Sequence, residues 1–161
     1  MASRPQFRRS SKFATALALL ATAALAASPA RADRCDDIAT QLKNQIDGLK
    51  VGITAANNIY LSHPQAREIT LGCAGRNFKN ALFARADSRK PRPAFLNLVA
   101  GAAAIIFTLP KDDMLKGATR CIRQMGLFRG DDVSTRYRRL DMRCTRTKTD
   151  ASIAISRGTD E

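Results

Sequence analysis

Few groups in this chain could do chemistry. Its 161 residues contain one histidine, His63. It sits in Ser62-His63-Pro64-Gln65, a stretch with the composition of a turn. A general base needs a positioned partner within hydrogen-bond reach, and no acidic or nucleophilic neighbour stands beside His63 at a motif spacing. The carboxylates come in pairs: Asp36-Asp37, Asp112-Asp113 and Asp131-Asp132. Two pairs stand where helices should start and the third in a turn, positions that favour aspartate for backbone reasons alone. None has the alternate spacing of a calcium loop. Met114, Met125 and Met142 lack the clustering of a copper site and suit a core. No nucleophile elbow, zinc-protease helix, phosphate loop or dinucleotide glycine pattern occurs. No catalytic residue, metal site or cofactor is therefore assigned, and binding is expected in place of catalysis.

The four cysteines are Cys35, Cys73, Cys121 and Cys144. The nearest pair, Cys121 and Cys144, is far from the C-x-x-C spacing of metal and redox sites. Their meaning comes from residues 1–32, which have the form of a cleaved secretory signal. Arg4, Arg8, Arg9 and Lys12 are its charged start, Ala14 to Ala27 its apolar run, and Ala30-Arg31-Ala32 its cleavage site. Export to a periplasmic or secreted location is expected, and an even number of cysteines in an oxidising compartment forms disulfides. Of three pairings, Cys35–Cys73 and Cys121–Cys144 are favoured, each within one half of the chain.

Charge is the least ordinary feature. The chain has 27 basic and 14 acidic residues; the leader holds five of the basic ones and no acid, which leaves 22 against 14, a net +8. From Arg120 to Lys148 nine basic residues face three acidic ones. Arg136, Arg138, Arg139, Arg143 and Arg146 are the candidate anion-binding residues, since guanidinium forks suit phosphate and carboxylate. If Leu140, Met142 and Cys144 face a core, Arg139 and Arg143 point outward from the same strand.

A single α+β domain over 33–155 must position these groups, with 156–161 as a disordered tail. At its centre lies the uncharged run between Pro93 and Pro110, Ala94 to Leu109. An all-apolar helix is buried, and 16 residues are short of the roughly 20 a membrane span needs. An amphipathic helix precedes it (Ile38, Leu42, Ile46, Leu49) and another follows it (Met114, Ala118, Cys121, Ile122). Period-two patterns predict an antiparallel sheet of about four strands: Val51 to Leu61 as one bulged strand, Ile69 to Cys73, Leu140 to Thr145 and Ala151 to Ile155. Phe78 and Leu82 suggest a short helix, and Leu127-Phe128 the start of a short strand. All helices are expected on one face.

The strand endings Leu71-Gly72-Cys73 and Met142-Arg143-Cys144 resemble those of small, uncharacterised exported bacterial proteins with two disulfides. The likeness covers short patches, implies an envelope location and brings no catalytic residues. The expected function is a binding module whose basic sheet face meets an anionic partner: lipid head groups, acidic polysaccharide or acidic protein. Nucleic acid is not expected, because Tyr137 is the one aromatic between Arg136 and Arg146 and export removes the usual target. The rivals are a carrier of an apolar ligand beside the central helix, lined by Phe95, Ile105 and Phe107, and a small carboxylate-dependent hydrolase.

Overall fold

The computed structural model describes residues 32–75, 79–126 and 130–158. Residues 1–31 of the expected leader, Phe78, Leu127-Phe128 and the last three residues of the expected tail lie outside them. The element order is α1 (Ala32–Gln45), β1 (Lys50–Ala55), β2 (Asn58–His63), β3 (Ala66–Gly72), β4 (Ala81–Arg85), α2 (Pro93–Phe107), α3 (Lys111–Gln124), β5 (Asp132–Tyr137), β6 (Leu140–Arg146) and β7 (Ala151–Arg157). The strands form one antiparallel sheet in the order β1-β2-β3-β4-β7-β6-β5.

Seven strands, not about four, is a correction with three local causes. The run Val51 to Leu61 is a hairpin, turned at Ala56 and Asn57, both at positive φ (49° and 61°). Such turns favour Asn-Gly or Gly-Gly, so Ala-Asn conceals one. A bulge between Val51 and Thr54 then shifts the register, so that Val51, Ile59 and Leu61 keep a common parity through the reversal. Ala81–Arg85 is a strand, not part of a helix. Its buried Leu82 and Ala84 alternate with half-buried neighbours, too short a pattern to separate the two periods in sequence. β5 is an edge strand of mostly polar residues whose one fully buried side chain is Val133. The last strand also runs two residues past Ile155, to Arg157.

Cross-strand register shows where the core lies. Leu61, Ile69, Ala84, Ile153, Cys144 and Val133 align in one row, and Ile59, Leu71, Leu82, Ile155 and Met142 in the next. All eleven are buried, so the helices cover this face of the sheet. The alternate row, Tyr60, Thr70, Phe83, Ala154, Arg143 and Ser134, faces away from them.

The uncharged run becomes α2, with Pro93 in its first turn and Thr108 closing it in the left-handed conformation. Phe95, Leu98, Val99, Ala103, Ile106 and Phe107 are buried, whereas Ala94 and Asn97 are exposed and Ile105 is half-buried. The helix is thus central but open along one side. α3 lies directly on β6: a Cβ on Gly117 would meet Met142 Cε at 2.8 Å and Tyr137 Cδ1 at 2.9 Å. That close approach leaves a side chain at position 117 room only if Met142 and Tyr137 shift. Disulfides Cys35–Cys73 and Cys121–Cys144 tie α1 to the end of β3 and α3 to β6. Each is therefore made within one half of the chain. In the sheet order β3 and β6 are equivalent, each one strand out from the central β4–β7 pair.

Candidate functional site

The five candidate arginines fall in three settings. Arg143 projects from β6 on the open sheet face and is bound by Asp132: its Nε donates to Oδ1 at 2.9 Å and its terminal nitrogen to Oδ2. That hydrogen bonding, with the attraction of the charge behind it, holds the Asp132 carboxyl below its ordinary range. Arg136 lies beside Asp141 on the same face, Nε to Oδ1 3.9 Å. Arg85, on that face too, pairs with Glu68 at 3.5 Å and sits 5.6 Å above the Phe83 ring. Each of these three cations has a carboxylate alongside, so the open face is close to charge balance. Arg146 is half-buried and turns to the Ile122 carbonyl at 3.5 Å, near the end of α3.

Arg138 and Arg139 are not strand residues. They form the two-residue turn between β5 and β6, both at positive φ (51° and 62°). Few side chains adopt that conformation without strain, of order 1 kcal/mol or more per residue. The turn sends both arginines to one end of the sheet. There a cleft of about 440 Å³ is lined by Lys79, Arg138, Arg139 and Arg157 together with Phe107, Leu109, Leu140 and Gly158. Lys79 Nζ donates to the Gly158 carbonyl at 2.8 Å. Arg157 donates to the Phe107 carbonyl at 3.2 Å, where a cation favours the end of α2. Arg138 is 3.4 Å from Asp113, in the first turn of α3. Arg139 has no acidic partner among the described residues. Among the described residues one of these four cations, Arg138, is paired with a carboxylate, and each cation keeps donors to spare.

Sequence reasoning missed Lys79 and Arg157, which lie 60 and 18 residues from Arg139 and reach it only through the β4–β7–β6 pairing. A signal existed for Arg157: it follows the strand Ala151 to Ile155 in register opposite Leu140.

The other candidates have structural employment. His63 accepts a hydrogen bond at Nδ1 from the Gln65 amide (3.1 Å), which leaves Nε2–H to donate to the Asp47 carbonyl (2.9 Å). Both nitrogens are used in fastening the β2–β3 turn to the end of α1. Asp112 and Asp113 stand in the first turn of α3, and Asp131 pairs with Arg89 at 3.3 Å. Among the described residues no three of His, Cys, Asp and Glu gather as a metal site would require. No described helix is long and apolar enough to cross a membrane. Phe95 is sealed in the core and Phe107 is buried against the basic cleft, but Ile105 lines a second cleft, of about 460 Å³, between the end of α1, α2 and Lys111.

No family model matches the chain, and no curated protein or solved structure is similar enough to count as a relative. Function is therefore argued from the chemistry of the site.

Proposed function

We propose that the protein is exported to the cell envelope and binds anionic groups, phosphate or carboxylate, of an envelope component without catalysing a reaction. The observation that carries this reading is the cleft at the end of the sheet, where Lys79, Arg138, Arg139 and Arg157 converge. The two disulfides fit the oxidising compartment that export implies. The anion-binding set becomes Arg138 and Arg139 with Lys79 and Arg157; Arg136 and Arg143 are largely satisfied by their own carboxylates.

The test is binding at low salt to phosphatidylglycerol vesicles and, separately, to polygalacturonate; the two arms distinguish phosphate from carboxylate as the bound group. Replacing Arg138 and Arg139 together by Ser should weaken binding about 30-fold, at roughly 1 kcal/mol per cation near an anionic surface. Arg143→Ser should change it much less. Equal losses in both variants, or no wild-type binding in either arm, would reject the reading.

A carrier role keeps one specific support, the second cleft. Its wall is made by small residues of α2, Ala94, Gly101 and Ala104, beside Ile46 and Ile105. Saturable uptake of a fluorescent fatty acid, blocked by Gly101→Leu, would favour it over the anion reading.

A further inference from the structure

Among the described residues the exposed large hydrophobics are Val51, Ile53 and Tyr60, all at one edge of the sheet. Ile53 is 73% exposed. Every residue of β1 is exposed, and β1 pairs only with β2, so its outer backbone groups have no strand beside them. Such an edge is a template for another strand. The opposite edge is built differently. β5 carries Asp132 and Arg136, both in ion pairs with β6. Charged side chains are a common means of blunting an edge. β1 has one charge, Lys50, at its first position.

We infer that β1 is a self-association edge, pairing antiparallel with β1 of a second copy about a two-fold axis near Ile53. Charge and pattern select this occupant. An acidic foreign strand would need a cationic edge, whereas β1 is neutral from Val51 to Ala55. A neutral, β-branched edge suits a strand of the same kind, which the second copy supplies. Centred between Gly52 and Ile53, the pairing sets Val51 opposite Thr54 of the second copy and Lys50 opposite Ala55, which the bulge places on shared faces. The two Lys50 side chains then lie about 17 Å apart at roughly 3.4 Å per residue, well beyond a Debye length of about 8 Å. Repulsion between two basic chains is thus kept away from the contact, and the same patch is buried on both sides. The bulge at Gly52 and Ile53 keeps the regular ladder short. Association is accordingly expected in the micromolar range.

Sedimentation equilibrium of the oxidised protein, from about 1 µM to about 1 mM, tests this across the expected range. The apparent mass should rise to twice that of one chain. Ile53→Lys should hold it at one chain, with its melting temperature unchanged at a dilution where wild type is also one chain, because there the side chain is in solvent. Amide exchange over Val51 to Ala55 should slow with concentration in wild type alone. A wild type that stays monomeric throughout overturns the proposal. So does an Ile53→Lys variant that associates as wild type does, or an edge found occupied by a foreign polypeptide while the protein itself remains monomeric.

Discussion

Arg143 and Arg139 carry the same charge and do not offer it equally. Arg143 spends two donors on Asp132, while Arg139 stands in a left-handed turn with no acidic partner among the described residues. The Asp132–Arg143 pair has a pH signature. Its hydrogen bonding lowers the Asp132 pKa from the ordinary 3.8. A carboxyl whose folded pKa is depressed contributes stability that is present above the unfolded value and lost as pH falls through the folded one. A carboxyl NMR titration should find the Asp132 midpoint below 3.8, and Arg143→Ser should return it toward 3.8. An unchanged midpoint in that variant would mean that the pair does not exist in solution. The pair is solvent-exposed, so its effect on global stability should be small.

At the scale of elements, α2 organises the chain as a helix with a sealed side and an open side. Val99 is fully buried, whereas Ile105 lines the cleft beside Lys111. Val99→Asp should abolish soluble folding, since an unpaired buried carboxylate costs several kcal/mol against a total stability of about 5–15. Ile105→Asp should leave a folded protein with a lowered melting temperature, because water reaches that site. Thermal denaturation of the two variants separates them, and equal damage would contradict the open side. The helices were legible in sequence because apolar residues recur over many turns. Pro93 and Pro110 bracketed α2, and Met114, Ala118, Cys121 and Ile122 marked the buried stripe of α3. The sheet was only half legible. Ala56-Asn57 hides a turn that glycine would have announced, and β4 offers five residues of weak alternation.

At the scale of the whole molecule, the excess of basic residues could be counted in the sequence, but its distribution could not. The register decided it. Glu68 falls opposite Arg85 and Asp141 opposite Arg136, with Asp132 one strand over from Arg143, so the open face is nearly neutralised. Lys79 and Arg157 gather at the sheet's end with the Arg138-Arg139 turn. These are consequences of long-range pairing, invisible to local spacing. The central claim is that this cleft, and not the sheet face, is where anions bind. An NMR titration of lysine and arginine side-chain signals with inorganic pyrophosphate at low salt tests it most directly. Saturable shifts are expected at Lys79, Arg138, Arg139 and Arg157, weakening as salt rises, with Arg136 and Arg143 nearly still. Shifts of equal size at Arg136 and Arg143, or none at the four cleft residues, would contradict it.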